Sequence, residues 1–440
     1  MAHSIEADEL RTLVKPDRVH KRVYTDAAIF DLEMERIFGR VWLYVAHESQ
    51  LKEPGDFVRA RLARHEVIVT RHGDGGIHVL HNRCAHRGVM LCRERAGNRK
   101  SLTCPYHGWS YKTDGSLEAV PHRESYPTNF DYNDKVNHLA RVARVESYRG
   151  FVFASLASRG PSLRDYLGPM AGVLDNLVDR SPEGEIEIAD STFAWVYRGN
   201  WKIHQEGATD VFHAGFAHES AVEAAKKMPA STKTIDNDQA RQQMLANGLG
   251  KKEWEGIELA GYPGGHAYMS GYYSKGLLAA KDEDPVRKRY RELLTARHGE
   301  AKTNDIFAMD RFNNVFYPNI ALNTQLQQMR VGFPITVDKT VVVSHCFRLK
   351  GAPEEMFHRA VRFLSLTSSP ASLVFSDDLE MFERCHAALA ADGDAWINFQ
   401  RGYGLEKQGN DGRMFSVTTE LPNRVHYREW LNQMTSDAAP

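Results

Sequence analysis

The chain has little of what marks a specialised environment. Five cysteines in 440 residues, an odd and small number, exclude a disulfide-stapled scaffold and point to a reducing, cytoplasmic compartment. No run approaches the roughly eighteen apolar residues that a membrane span requires. The stretch from Met1 to Tyr24 is charged throughout and holds no apolar segment of the kind a secretory signal needs. An excess of one charge is missing as well. The formal net charge is -1, so bulk electrostatics favours neither nucleic acid nor an anionic membrane as partner. There is no internal repeat and no low-complexity tract. No G-x-G-x-x-G follows a strand-like segment, so a bound nicotinamide dinucleotide is not expected.

What is present divides unevenly. Apolar residues make up 42% and charged residues 26%, an ordinary soluble balance, and the length exceeds that of one compact core. From Asp56 to Leu156 the texture is β. DFVRARL, HEVIVT and GIHVLHN are short, β-branched-rich segments, with hairpin-turn signals at 72–76 (HGDGG) and 113–115 (TDG). Gly, Pro and Ser at 157–162 mark a boundary. Beyond it the texture is mixed. LRDYLGPMAGVLDNLVDR reads as helix, and STFAWVYRGNWKI and KTVVVSHCFRL read as strands. Asp284 and Pro285 read as the cap and first residue of a helix that Gly299 ends. Leu379, Phe382, His386 and Leu389 share one helical stripe. The expected fold class is α+β in three parts. A helical segment over 1–42 packs on the larger domain. A small all-β domain spans 43–160. The larger domain spans 161–440, an antiparallel sheet flanked by helices.

Two of the five cysteines sit in mixed boxes, Cys84-x-His86 and Cys104-x-x-His107. Two thiolates and two imidazoles suit a tetrahedral zinc site or a [2Fe-2S] cluster. Zinc fingers usually keep Cys with Cys and His with His. One of each in two loops suits a cluster with both thiolates on one iron and both imidazoles on the other, and the neutral imidazoles raise the potential. A second set is Asp210, His213 and His218. Asp210 and His213, three apart, would share a face of a helix. His213 and His218 lie about 140° apart on an ideal helix. The helix must therefore bend or end between them, with Gly215 the candidate break. On spacing alone, two such histidines are more often unrelated than joined by a metal.

Cys84-Ala85-His86-Arg87-Gly88 and Cys104-Pro105-Tyr106-His107-Gly108-Trp109 resemble the two Rieske boxes, C-x-H-R-G and C-x-x-H-G-W. Respiratory and photosynthetic Rieske proteins add a disulfide cysteine to each loop. Val89 and Tyr106 stand there instead, so the boxes resemble the oxygenase type. By that pattern Cys92 is no ligand but a small buried hydrophobe. Asn200-Trp201-Lys202, followed by Glu206, Asp210, Phe212, His213 and His218, resembles the mononuclear-iron signature of Rieske ring-hydroxylating oxygenases. It departs at Gly207, where Asn is usual, and at Phe212, where Tyr is usual. The family takes a carboxylate ligand from a D-x-x-x-x-E segment. FSDDLEMFERCHAAL supplies Asp378 with Glu383, and Asp377 is the adjacent competitor. An acidic pair at a helix start also serves as a dipole partner.

The resemblance implies a [2Fe-2S] cluster held by Cys84, His86, Cys104 and His107, and one Fe(II) held by His213, His218 and Asp378. It implies head-to-tail trimers in which Asp210 bridges the centres, one oxygen to His213 and the other to His107 of the partner subunit. It implies an α3 or α3β3 assembly with a small β subunit, a separate NAD(P)H reductase or ferredoxin, and hydroxylation of an aromatic substrate by O2. LQQMRVGFPITVDKTVV, 325–342, resembles benzoate- and toluate-type large subunits. That implies an aromatic carboxylate or another substituted monocyclic arene, with Arg330 either a carboxylate's partner or a solvated or interface arginine on a strand. The rival readings are a monooxygenase or O-demethylase acting on a ring substituent, a purely electron-transferring Rieske protein, and a zinc-stabilised binding module.

Overall fold

The computed structural model describes residues 5–210, 212–228, 241, 243–248, 258–270, 284–308, 311–409, 412–417 and 419–436. The chain forms two compact units. The first, Met34–Tyr166, is built from short antiparallel strands. Ile77–His81, His65–Arg71, Asp56–Leu62 and Ala96–Asn98 pair in that order, and Ser101–Thr103, Ser110–Lys112 and Leu117–Ala119 form a second sheet. A third sheet joins Arg144–Tyr148, Phe151–Ser155 and Leu43–His47. Val67, Ile68 and Val69 are all fully buried, so that strand is covered on both faces. The turns at 72–76 and 112–116 close as hairpins through His72 N–H to Gly76 O and Lys112 N–H to Ser116 O. Phe57, Ile68, Leu80, Leu102, Trp109 and Tyr111 make a core that also contains Cys84, Cys92 and Cys104. The paired boxes are therefore rooted in packed apolar surface.

The second unit combines the segment ending at Glu33 with the chain from Leu167 onward. Its centre is a nine-stranded antiparallel sheet. From one edge the strands run Ile186–Tyr197, Lys339–Leu349, Gln328–Thr336, Ile320–Asn323, Arg311–Phe316, Ala267–Ser270, Glu258–Gly261, Met414–Val417 and Lys407–Gln408. Helices Trp201–Thr209, Phe375–Ala390 and Leu421–Thr435 pack with it. Asp284 caps Pro285–His298 through Val286 N–H, and Gly299 ends that helix.

The strand expected over 191–203 stops at Tyr197. The Asn200 side chain accepts Lys202 N–H and starts a helix at Trp201 instead, so a specific cap overrides the β preference of the flanking aromatics. Asn200 Nδ2 also donates to Tyr24 O and Val337 O. Trp201 Nε1 and Lys202 Nζ both bond the fully buried Glu33 carboxylate. The Asn-Trp-Lys triplet thus anchors the helix that leads to the histidines. No helix among the described residues is long and apolar enough to cross a membrane.

Candidate metal centres

The two boxes fold into loops with one shared hydrogen-bond frame. Cys84 N–H donates to Val89 O (2.8 Å) and Gly88 N–H to Cys84 O (2.9 Å). Cys104 N–H donates to Trp109 O (2.8 Å) and Gly108 N–H to Cys104 O (3.1 Å). The extra residue between Cys and His in the second box leaves this frame unchanged, because a glycine follows each cysteine by four positions. Both glycines sit at positive φ, +73° and +70°, which side chains disfavour. The loops bury Cys84 and Cys104 and bring the His86 and His107 rings to 4.8 Å between centroids.

The residues fit a cluster. His86 Nδ1 is buried with no hydrogen-bond partner among the described residues, as a ligand nitrogen would be, and its ring stacks on Trp109. Burial pushes the Cys104 thiol up, against backbone N–H groups of Tyr106 and His107 that favour its thiolate, while neighbouring Cys84 acts with burial. The Tyr111 hydroxyl lies 3.2 Å from Cys84 Sγ. Donors of this kind to cluster sulfurs raise a cluster's potential. Cys92 is a packing residue. It is fully buried, its backbone is tied to the Asn82 side chain, and burial pushes its thiol up to about 11.

In the second unit His213, His218 and Asp378 each offer one ligand atom, all within 4.8 Å of one another. Asp378 Oδ1 lies 3.2 Å from His213 Nε2 and 3.5 Å from His218 Nε2. Two imidazoles and one carboxylate converging in this way fit a 2-His-1-carboxylate metal site. The far nitrogens are also served. His218 Nδ1 is 3.3 Å from Asp377 Oδ2, and His213 Nδ1 is 3.7 Å from Asp210 Oδ2. A carboxylate on the other ring nitrogen fixes the tautomer and raises ligand basicity. The adjacent aspartates thus take different places, Asp378 among the converging atoms and Asp377 behind His218. Glu383 faces away and accepts Arg198 N–H. Burial opposes charge on His213, yet Asp210 and Asp378 hold it up at about 10, so the local field favours a cation.

Two local expectations are corrected. Asp210 does not share a helix face with His213. It follows the helix Trp201–Thr209 in extended backbone, and the turn after it brings the side chains together. The break between the histidines is at His218, not Gly215. Gly215 lies inside Ala214–Ala217, and His218 both ends that turn and starts Glu219–Lys227. A glycine permits a break without requiring one. Here the bend falls at the side chain that must reach the carboxylates.

The departures from the family pattern each have a physical counterpart. A Cβ at Gly207 would lie 2.8 Å and 2.9 Å from ring atoms of Phe382, so that space is already filled. Phe212 carries the guanidinium of Arg401 over its ring, 4.0 Å from the centroid. Arg401 Nη2 donates to Asp210 Oδ1 (3.1 Å), which also accepts Phe212 N–H (2.8 Å). Sequence reading misses Arg401, because no spacing links it to 210–213. The phenylalanine in place of tyrosine is the sole signal.

A cavity of about 140 Å³ opens on the three converging residues. Arg330, Phe375, Phe363, Gln243 and Asn247 are part of its wall. Arg330, half-buried on Gln328–Thr336, lies 5.5 Å from the Phe375 ring centroid, so it is a cavity residue and not a solvated surface arginine. Gln243 Oε1 and Asn247 Nδ2 are buried without a hydrogen-bond partner among the described residues.

Residues 41–146 match the Rieske [2Fe-2S] domain, and residues 185–436 match the ring hydroxylating alpha subunit (catalytic domain). The chain is 32% identical over 407 residues to toluate 1,2-dioxygenase subunit alpha of Pseudomonas putida, covering 89% of this chain and 85% of that protein. It is 40% identical over 430 residues to chlorobenzene dioxygenase subunit alpha of Cupriavidus sp. (strain PS12), covering 95% and 91%. A solved structure of a naphthalene 1,2-dioxygenase mutant bound to phenanthrene superposes with a TM-score of 0.83 at 26% identity, covering 99% of this chain and 96% of that one.

Proposed function

Because the chain belongs to the large (alpha) subunits of Rieske ring-hydroxylating oxygenases, we propose that it hydroxylates or cis-dihydroxylates a single aromatic ring bearing a carboxylate. Cys84, His86, Cys104 and His107, within a Rieske part over 43–160, hold the cluster. His213, His218 and Asp378, within a catalytic part over 161–440, hold the mononuclear iron. When bound, the cluster supplies electrons one at a time and the iron supplies dioxygen activation. The chain's own residues prepare these sites. Asp377 holds the proton on His218 Nδ1 and Asp210 holds it on His213 Nδ1, leaving both Nε2 atoms free to ligate. In a trimer, Asp210 joins His213 to His107 of the partner subunit. Electrons come from a separate NAD(P)H reductase or a ferredoxin, a small β subunit completes the assembly, and the enzyme works in the cytoplasm.

The observation that carries the substrate reading is the cavity. About 140 Å³ is close to the roughly 150 Å³ of a protein cavity that takes up benzene, so the space admits one aromatic ring. Arg330 places a permanent cation on its wall, suited to bidentate pairing with a carboxylate. A product screen across toluates, other benzoates, chlorobenzene and naphthalene, with a reconstituted reductase, tests this. Turnover of benzoates is expected, and Arg330→Met should raise their KM by roughly tenfold or more with iron content unchanged. A neutral chloroarene is the second reading, favoured by the 40% identity to a chlorobenzene dioxygenase subunit. Faster turnover of chlorobenzene than of any benzoate would establish it instead. Asp210→Asn should keep its iron and form no product.

A further inference from the structure

We propose that Arg401 is the positioning residue of the electron bridge, clamping Asp210 by one oxygen so that the other serves the imidazoles. The proposal rests on the bridging reading of Asp210 given above. A carboxylate has about four acceptor positions, two on each oxygen. Asp210 Oδ1 uses both of its own, one for Phe212 N–H at 2.8 Å and one for Arg401 Nη2 at 3.1 Å. What remains is Oδ2, which faces His213 Nδ1 at 3.7 Å. Acceptance from both imidazoles therefore falls to Oδ2, and not to one oxygen each.

Arg401 is itself held at both ends. Its backbone N–H donates to Glu420 Oε2 at 3.0 Å, and its carbonyl accepts from Thr419 Oγ1 and Arg424 Nη1, both at 3.1 Å. Its guanidinium rests over Phe212, with Glu420 Oε1 3.6 Å from Nη2. Phenylalanine gives the guanidinium a flat apolar seat and no hydroxyl to compete for its donors. The departure at position 212 and the arginine thus belong to one device. Asp210 follows a helix end in extended backbone, where the helix alone does not fix its side chain.

Arg401→Met keeps an unbranched side chain over Phe212 and removes the donors. Arg401→Lys keeps the charge without the planar fork. The assembled oxygenase, with its cluster reduced, is mixed with substrate and O2, and cluster reoxidation is followed by absorbance. Both variants should keep wild-type iron content and cluster spectrum. Arg401→Met should slow reoxidation roughly tenfold or more, with Arg401→Lys between it and the wild type. Reoxidation of Arg401→Met within about twofold of wild type, while Asp210→Asn fails, overturns the role of Arg401 and keeps the bridge. Unimpaired reoxidation in Asp210→Asn overturns the bridge itself. Loss of the mononuclear iron from both Arg401 variants makes the residue a structural support and also overturns the proposal.

Discussion

Asp377 and Asp378 are neighbours with the same side chain, and their different jobs follow from where each reaches. Asp378 Oδ1 meets both Nε2 atoms, while Asp377 meets the opposite nitrogen of His218. Removing the charge of Asp377 should therefore leave a ligand set that is complete but poorly oriented. Asp377→Asn is expected to keep the cluster spectrum and to hold the mononuclear iron about 10–100-fold more weakly, as read by chelator competition. Equal iron retention in that variant would reduce Asp377 to a helix-start acid. Gly207 makes a similar point about space. With the Phe382 ring 2.8 Å from the site of a Cβ, Gly207→Asn should lower the unfolding midpoint, and its cost should be smaller when measured in a Phe382→Ala background. The sequence marks 207 and 212 as unusual, yet their counterparts, Phe382 and Arg401, lie far along the chain. No local pattern encodes a contact of that separation.

At the scale of elements, legibility followed the locality of the signal. Lys339–Leu349 is a strand from end to end as its β-branched run implies, Asp56–Leu62 is one on a single β-branched residue, Val58, and Asp284 caps its helix as a local motif should. The reading of 191–203 failed where a side-chain cap at Asn200 competed with β propensity. The position of the break near His218 was not legible, because glycine marks permission and the geometry of convergence decides. The box loops lie between these cases. Their paired Cys and His are plain in the sequence, but the common frame that makes the two boxes equivalent appears in the backbone bonds alone. Gly108 holds that frame at φ +70°, and a Cβ there would lie 2.7 Å from Pro121 Cγ. Gly108→Ala should cost about 1–2 kcal/mol from the left-handed backbone alone, with more from the clash. The expected readout is earlier loss of cluster absorbance on warming, with iron at the second centre retained.

At the scale of the second unit, chain segments remote in sequence grip the helix that carries the site. Glu33 accepts Lys202 Nζ at 2.6 Å, Trp201 Nε1 at 2.8 Å and Trp430 Nε1 at 2.7 Å, with Glu33 and Lys202 wholly buried. A buried pair stripped of one member leaves a desolvated charge, so Glu33→Ala should cost about 3–5 kcal/mol. Four residues further along the helix, Glu206 Oε1 lies 2.8 Å from the Tyr24 hydroxyl and also meets that of Tyr427, and the two hydroxyls lie 2.6 Å apart. Burial pushes Glu206 up to about 7, outweighing the two hydroxyls and Lys202, which all favour its charged form. Its folded value thus lies above its ordinary 4.5, and between the two the folded chain binds more protons than the unfolded one. The sign is therefore a stabilisation that is complete below about pH 4.5 and is lost as pH rises to about 7. Glu206→Gln is neutral throughout and lacks this dependence. Urea unfolding of the metal-loaded protein should show the wild-type midpoint falling relative to Glu206→Gln across that window and running parallel above it. A constant difference from pH 4.5 to 8 would mean that Glu206 is already ionised in the folded chain, with Lys202 and the tyrosines, rather than burial, deciding its charge.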